Sequence, residues 1–270
     1  MISSPRDPRD RHPFLDHPAP LAFAHRGGAG DGPADGVPGA GLLENTVPAF
    51  RNAVDQGYRY LETDVHVTAD GRLVAFHDPT LDRMTDHRGT IARLPWSAVA
   101  KARVGGREPI PLFEELLEEF PEARWNIDVK AEAALLPLID LIGRTDSWDR
   151  VCVGSFAEHR AARARRLGGP RLATSYGAAA VLALRLRSYG PPVPLRGSGV
   201  CVQVPETHGG IRVVDERFVR AAHARGLQVH VWTVNDPAGM RRLLDLGVDG
   251  IMTDRTTALR SVLTDRGAWA

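Results

Sequence analysis

One stretch of the chain, YLETDVHVTADGRLVAFHD (60–78), combines two carboxylates and two histidines with an otherwise apolar, strand-like pattern. Because side chains alternate along a strand, Glu62, Asp64 and His66 project from one face, with neighbours about 7 Å apart. Two carboxylates buried together would each lose several kcal/mol through desolvation, so a positive charge should lie between them. That charge is either a divalent metal ion or an arginine or lysine side chain, and the spacing favours neither. We expect His66 to pack or to hydrogen-bond.

Two histidines at the ends of strand-like runs could transfer protons. His25 ends LAFAH and directly precedes Arg26, and His77 ends a run that the Asp-Gly pair at 70–71 folds back as a hairpin. A histidine has a reference pKa of about 6.5, so it can accept or donate a proton near neutral pH. The guanidinium of Arg26 carries a fork of donors suited to phosphate oxygens. Two such histidines beside a carboxylate pair are an uncommon coincidence, which favours acid–base chemistry at one site.

A third carboxylate, Asp128, belongs to the later run RWNIDVK (124–130), and Lys130 follows it on the same face. With Glu62 and Asp64, Asp128 could converge on one hard cation such as Ca²⁺ or Mg²⁺, which bind oxygen ligands. Lys130 fits either alternative, since it could neutralise the carboxylates itself.

Other kinds of site have weaker support. No G-x-S-x-G motif occurs and no base is evident for Ser155, so we expect a structural role for that residue. The chain contains neither G-x-G-x-x-G nor G-K-[ST], which argues against a nucleotide-binding open sheet. Trp232 near the end of a further strand-like run, and Asn235 just after it, are the remaining candidates at a strand end.

Eight strand-like runs alternate with helical patterns. Such alternation predicts parallel strands joined by right-handed crossovers, and eight of them close a barrel. We therefore predict an α/β fold, a (β/α)8 TIM barrel with a small insertion after the second strand, and a site at the carboxyl ends of the strands. The predicted strands are 21–25, 58–67, 124–130, 151–156, 171–177, 199–205, 228–234 and 250–254.

Composition narrows the class of protein. The chain has 270 residues, with 34 basic against 33 acidic side chains, so its net charge of +1 offers no global field for nucleic acid or an anionic membrane. Cys152 and Cys201 lie in separate apolar runs and are expected to be buried. No run has the length and apolarity of a signal or membrane segment, which favours the cytoplasm. Residues 1–20, rich in proline and charge, are predicted to form a flexible arm before one domain over 21–270.

Several motifs together resemble one family. In order along the chain, they resemble those of the glycerophosphodiester phosphodiesterases, metal-dependent barrels related to phosphatidylinositol-specific phospholipase C. The resemblance extends over nearly the whole chain from residue 21. The motifs are AHRGGAG (24–30), LLENTVPAF (42–50), YLETDVHVTADGRLVAFHD (60–78), IPLFEELLEEFP (110–121), WNIDVK (125–130), VGSF (153–156) and VHVWTVNDPAGMRRLLDLGVDGIMTD (229–254).

This resemblance implies a function and a role for each site residue. It implies hydrolysis of a small-molecule glycerophosphodiester to an alcohol and sn-glycerol 3-phosphate, with one divalent metal ion, Ca²⁺ or Mg²⁺, and with no nucleic-acid partner. The segment at 79–109 corresponds to the family insertion over the barrel mouth. By the same resemblance, the acid and base are His25 and His77, the metal ligands are Glu62, Asp64, Asp128 and Glu44, and the substrate-binding residues are Arg26, Lys130 and Trp232.

Two departures from the family pattern accompany the match. Asp128 stands where glutamate is common, which shortens its reach towards a metal. The loop at 28–43 is longer than usual by about ten residues, which we interpret as a tolerated surface insertion because a longer loop adds little entropic cost. Two other functions remain alternatives: a lysophospholipase D or sphingomyelinase D type of phosphodiesterase, and a non-catalytic protein that binds a phosphate ligand.

Overall fold

A closed barrel of eight parallel strands forms the body of the protein. The computed structural model describes residues 12–31, 41–190, 193–195 and 197–269. The strands of this part are β1 (Leu21–Ala24), β2 (Tyr60–Val67), β3 (Leu73–Ala75), β4 (Arg103–Val104), β5 (Glu108–Pro109), β6 (Arg124–Val129), β7 (Val151–Gly154), β8 (Ala173–Tyr176), β9 (Cys201–Pro205), β10 (Thr207–His208), β11 (Ile211–Arg212), β12 (Gln228–Trp232) and β13 (Gly250–Thr253). Their order is β1-β13-β12-β9-β8-β7-β6-β2, and pairing of β1 with β2 closes the ring. The predicted TIM barrel is thus confirmed.

Helices cover the outside of the ring and return the chain from one strand to the next, except α2 (Trp96–Val99), which belongs to the segment after β3. They are α1 (Val47–Asp55), α2 (Trp96–Val99), α3 (Phe113–Glu119), α4 (Leu135–Arg144), α5 (Glu158–Gly168), α6 (Ala178–Arg187), α7 (Glu216–His223), α8 (Pro237–Asp245) and α9 (Thr256–Asp265). Two begin at capping aspartates, because Asp215 accepts a hydrogen bond from the Phe218 N–H and Asp236 accepts one from the Gly239 N–H. No helix among the described residues is long and apolar enough to cross a membrane.

The amino-terminal segment closes one end of the barrel. Phe14 and Leu15 lie in a short 3₁₀ helix and are buried, and the Phe14 carbonyl accepts hydrogen bonds from the Tyr60 hydroxyl at 2.7 Å and from Arg124 Nη1 at 3.0 Å. The arm predicted over 1–20 therefore differs in its second half, since this apolar pair is enough to anchor the chain. Residues 1–11 lie outside the described residues.

The bottom of the barrel interior is mostly apolar, with a buried polar pair, Gln228 and His230, whose side chains are 2.9 Å apart. Cys152 and Cys201 are free thiols buried there beside Phe14 and Met252, as expected for small hydrophobic side chains. This end therefore packs as a core and leaves the opposite end, where the strands finish, available for polar groups.

The predicted insertion follows the hairpin of β2 and β3. It contains α2 and the two-stranded sheet of β4 and β5, and it packs around its own apolar cluster, which includes Leu81, Ile91 and Val99. This cluster continues onto Val74 of β3, so the insertion is anchored at the strand that leads into His77.

Candidate active site

A cavity of about 530 Å³ opens at the carboxyl ends of the barrel strands. Its polar half is formed by the ends of β1, β2 and β6 and by the turn after β3. Its apolar half comes from the segment after β7, from α6 and from the hairpin of β10 and β11. Eight of the nine predicted site residues line this cavity. The ninth, Glu44, does not line it but accepts a hydrogen bond from Arg26, which does. The eight are His25, Arg26, Glu62, Asp64, His77, Asp128, Lys130 and Trp232.

A tight turn after β1 presents His25 and Arg26 to the cavity. Arg26 has a φ of 49°, and Gly27 and Gly28 follow with φ of 85° and 78°, in the region that favours glycine. A Cβ on Gly28 would lie 2.3 Å from a methyl group of Thr256, so no larger residue fits there without movement. The Arg26 N–H donates a hydrogen bond to Glu62 Oε2 at 2.9 Å, which holds the turn against β2.

Parallel register brings the buried carboxylates together. Asp64 on β2 lies directly opposite Asp128 on β6, and Lys130 Nζ is 2.8 Å from Asp64 Oδ1 and 2.7 Å from Asp128 Oδ2. Arg26 Nε lies 3.2 Å from Asp64 Oδ2. Arg26 and Lys130 thus lie among these carboxylates, as one of the two sources of positive charge that the sequence left open.

The ENT motif places Glu44 above the same cluster. Asn45 adopts a positive φ of 58°, its N–H donates to the Arg26 carbonyl at 2.9 Å, and its side chain accepts from the Thr63 hydroxyl at 2.8 Å. These contacts orient Glu44 so that Oε2 accepts from Arg26 Nη1 at 3.1 Å. Asn45 therefore holds the backbone of the motif in place, and Glu44 places its carboxylate beside Arg26.

Each of the two histidines has an aspartate carboxylate beside its Nδ1 atom. His25 Nδ1 and Asp254 Oδ1 are 2.6 Å apart, and Asp254 in turn accepts from Asn235 Nδ2 at 2.8 Å. His77 Nδ1 and Asp78 Oδ1 are also 2.6 Å apart. A carboxylate at Nδ1 fixes the tautomer and the ring orientation, and it leaves Nε2 as the nitrogen that can exchange a proton.

Charge stabilises the protonated form of His25. Burial opposes protonation, but the Coulombic effect of Glu62 and the hydrogen bond to Asp254 outweigh it, so the pKa of His25 is raised. Burial likewise opposes ionisation of Asp254, yet the hydrogen bond from His25 lowers the pKa of that carboxyl. The pair is therefore suited to hold a proton at His25.

The insertion supports His77 from the other side. Arg83 hydrogen-bonds Asp78 through Nε and Nη2 and also donates from Nη2 to Glu44 Oε1 at 3.0 Å. The hydrogen bond from Arg83 lowers the pKa of Asp78 to about 2, so Asp78 is an anion at neutral pH. His66 Nε2 donates to the His77 carbonyl at 3.0 Å, which is the hydrogen-bonding role expected for it.

The carboxylate cluster contains a buried oxygen without a hydrogen-bond partner. Burial, and then the nearby Asp64, raise the pKa of Glu62 to about 7. The Arg26 Nε–H is not aligned with Asp64 Oδ2, so both buried atoms lack a hydrogen-bond partner despite their proximity. An orphaned carboxylate oxygen among oxygen donors fits the preferences of a hard divalent cation. No group of three or more His, Cys, Asp or Glu side chains within the described ranges is arranged to hold a metal ion.

The sequence interpretation gave no role to three residues of the site. Asp254, Asp78 and Arg83 support the two histidines, although Asp254 follows β13 directly and was detectable as a carboxylate at a strand end. The Ser155 hydroxyl accepts a hydrogen bond from Arg160 Nη1 at 2.9 Å, and Ser155 also lines the cavity, so its structural role stays a prediction. Part of the long loop predicted at 28–43, residues 32–40, lies outside the described residues.

Comparison with known proteins identifies the family. Residues 25–258 match the model of the Glycerophosphoryl diester phosphodiesterase family. The chain belongs to this family. A Mycobacterium tuberculosis (strain ATCC 25618 / H37Rv) protein, named Probable glycerophosphodiester phosphodiesterase 2, is 42% identical over 260 residues, which cover 95% of each chain. A Homo sapiens protein named Lysophospholipase D GDPD1 is 29% identical over 277 residues, covering 89% of this chain and 85% of that protein.

Solved structures of similar proteins have the same fold. A glycerophosphodiester phosphodiesterase from Agrobacterium tumefaciens str. C58 has a TM-score of 0.71 at 22% identity, over 89% of this chain and 99% of that chain. An Oleispira antarctica phosphodiesterase in complex with the product sn-glycerol-3-phosphate has a TM-score of 0.74 at 23% identity, over 91% and 97%. The predicted family, fold and enzyme class, a phosphoric diester hydrolase of the glycerophosphodiester phosphodiesterase type, are confirmed by these comparisons.

Proposed function

We propose that this chain hydrolyses glycerophosphodiesters to an alcohol and sn-glycerol 3-phosphate, by acid–base catalysis at His25 and His77 and with one divalent metal ion. The observation that carries the proposal is the pair of histidines at one cavity, each with a carboxylate 2.6 Å from Nδ1, beside the cations Arg26 and Lys130. A phosphodiester is anionic and resists attack, so its hydrolysis needs both positive charge and proton transfer.

Arg26 and Lys130 bind the phosphate in this proposal. Both side chains line the cavity and already lie against carboxylates, which orients them without substrate. The neighbouring carboxylates Asp128 and Asp64 outweigh burial and raise the pKa of Lys130, so it is charged at neutral pH. A preorganised cation stabilises the charge that develops on the phosphoryl oxygens, because no reorganisation is needed during the reaction.

The histidines exchange protons in two steps. One accepts the proton of the glycerol 2-hydroxyl as that oxygen attacks phosphorus, and the other donates a proton to the departing alcohol. The resulting cyclic phosphate is opened by water with the two roles reversed, so one water is consumed overall and sn-glycerol 3-phosphate is formed. Both rings return to their starting protonation states.

The metal ligands in this proposal are four carboxylates, Glu44, Glu62, Asp64 and Asp128, whose side chains would have to converge from their present arrangement to hold the ion. A divalent ion there would neutralise charge on the phosphoryl oxygens. The orphaned Oδ2 of Asp64 supports this proposal because it is a buried carboxylate oxygen without a hydrogen-bond partner, and the pKa of Glu62, raised by burial and then by Asp64, shows that two carboxylates are crowded together there.

Metal removal tests the proposal directly. We expect the purified protein to release alcohol from glycerophosphocholine, and exhaustive chelation to lower the rate by about 100-fold or more, since a metal contributes several kcal/mol at such a transition state. Adding back Ca²⁺ or Mg²⁺ in separate assays identifies the ion. An undiminished rate after chelation would remove the metal from the mechanism. Binding without turnover in every metal would reject hydrolysis and favour the non-catalytic alternative.

The apolar half of the cavity supports a second candidate function, that of a lysophospholipase D type of enzyme. Phe156, Leu182 and Ile211 line the cavity and remain largely exposed at its mouth, and the Trp232 ring packs against Phe156 with centroids 5.5 Å apart. Such an apolar wall offers no hydrogen-bonding groups to a fully polar diester, whereas the acyl chain of a lysophospholipid could lie along it.

Substrate comparison separates the two candidates. If the wall binds an acyl chain, the kcat/KM for a lysophosphatidylcholine below its micellar concentration will exceed that for glycerophosphocholine by about tenfold or more, because burial contributes about 0.8 kcal/mol per methylene. Leu182→Gln will lower only the lysolipid value. Leu136→Gln, at an exposed leucine of α4, is the matched control. Equal kcat/KM values for both substrates would leave the glycerophosphodiester as the substrate.

A further inference from the structure

An exposed apolar face surrounds the cavity mouth. Five of the eight large hydrophobic side chains that are exposed in the described part of the chain occur here, so they are not scattered singly. We call this set the mouth face; it consists of Phe156, Leu182, Leu186, Tyr189 and Ile211, with exposures of 62, 59, 47, 58 and 68%.

The mouth face is continuous with the cavity. Phe156, Leu182 and Ile211 line the opening itself. Leu186 lies one turn beyond Leu182 on the same side of α6, and Tyr189 follows just past the end of that helix. The apolar surface therefore begins inside the cavity and extends outward across the rim.

Excess positive charge surrounds the mouth face. Four acidic residues occur between 156 and 217, and each is paired with an arginine. The pairs are Glu158–Arg165, Glu206–Arg242, Asp215–Arg185 and Glu216–Arg220.

Three arginines of the same region are not neutralised. Arg187, Arg212 and Arg217 have no carboxylate partner among the residues that the structure describes. Arg187 donates to the Val193 carbonyl, and Arg217 lies over the Tyr189 ring. A basic surface is thus concentrated here although the whole chain has a net charge of only +1.

We propose that the mouth face docks onto the surface of a lipid aggregate that carries anionic headgroups, so that the cavity opens towards the lipid. Exposed aromatic and aliphatic side chains flanked by arginines match such a surface, because the apolar groups enter the headgroup boundary and the arginines contact the anions. A second copy of the chain fits less well, since a two-fold contact would bring the same unpaired arginines against each other.

Sedimentation with vesicles tests the docking. We expect the full chain to sediment with vesicles of phosphatidylcholine mixed with phosphatidylglycerol, and much less with phosphatidylcholine alone or at high salt. Arg212→Gln/Arg217→Gln will lower the partition coefficient roughly 25-fold, at about fivefold per arginine. Leu186→Gln/Tyr189→Gln will lower it by about tenfold or more, because apolar area stays in water.

Two controls accompany this test: a variant changed outside the mouth face, and the mass of the protein in solution, which shows whether the chain forms a dimer. Leu136→Gln/Leu167→Gln changes two exposed leucines outside the mouth face and should leave sedimentation unchanged. Thermal unfolding confirms that every variant is folded. The proposal is overturned if the wild type binds neither vesicle, if the control variant loses as much binding, or if the chain forms a dimer that Leu186→Gln/Tyr189→Gln dissociates. Sedimentation needs no turnover, so its failure leaves the proposed hydrolysis standing.

Discussion

Replacing His25 or His77 by asparagine will lower kcat for glycerophosphodiester hydrolysis by about 10²–10⁴ while leaving the protein folded, since each proton transfer is worth that factor. Both rings lie at the cavity with Nδ1 engaged by a carboxylate, so asparagine keeps a polar group of similar size but cannot carry the proton. Steady-state kinetics with glycerophosphocholine, together with thermal unfolding, measure the two effects separately.

Matched variants distinguish proton transfer from general disturbance of the surface. His159→Asn changes an exposed histidine of α5 and should leave kcat unaltered. Asp254→Asn keeps His25 but weakens its orientation, so we expect a smaller loss of kcat and a displaced acid limb in the pH–rate profile. If both His25→Asn and His77→Asn retained near wild-type kcat, the acid–base assignment would be wrong.

Replacing Lys130 by glutamine will lower the free energy of unfolding at pH 7 by about 3 kcal/mol, because removal of one partner leaves buried charge uncompensated. Lys130 Nζ is the cation between Asp64 and Asp128, at 2.8 and 2.7 Å. Burial already raises the pKa of Asp128, and Lys130 acts against that rise. Without Lys130 the main offset to the burial of Asp128 and to its proximity to Asp64 is lost, so the folded state favours the protonated form of Asp128 more strongly.

The pH dependence of this loss has a definite sign. A carboxyl whose pKa is raised in the folded state destabilises the protein above its unfolded pKa of about 3.9, and the penalty disappears as pH falls towards that value. The difference in unfolding free energy between wild type and Lys130→Gln should therefore shrink from pH 7 to pH 5 in urea titrations. Lys101→Gln, at an exposed lysine, is the control. A loss that is independent of pH would show that packing, not charge, is what Lys130 contributes.

The barrel itself could be predicted because its signals are local. Each of the eight strands is a short apolar run with its own turn and helix, and the Asp-Gly pair at 70–71 produces the expected hairpin, in which Val65 pairs with Ala75. Since a strand alternates strictly, the shared face of Glu62 and Asp64 also followed from spacing alone.

Contacts between distant segments could not be predicted in the same way. Whether Arg26 and Lys130 or a metal ion faces Asp64 depends on the register of β2 against β6 and on a left-handed residue, neither of which the spacing shows. The apolar wall at Leu182 was also missed, because a leucine on a helix usually indicates core packing and only the tertiary structure shows that this one is exposed.

The bond between His25 and Asp254 joins residues that are 229 positions apart, across the seam where β1 meets β13. An assembling chain therefore has no supported His25 until its last strand has docked against its first. Contacts of such long sequence separation are slow to form, because the loop entropy must be overcome first. On the proposed mechanism, catalytic competence is therefore a late event of folding: a partly assembled barrel can already bring together Glu62, Asp64 and His77, but it lacks the aspartate that orients His25 until the ring is closed.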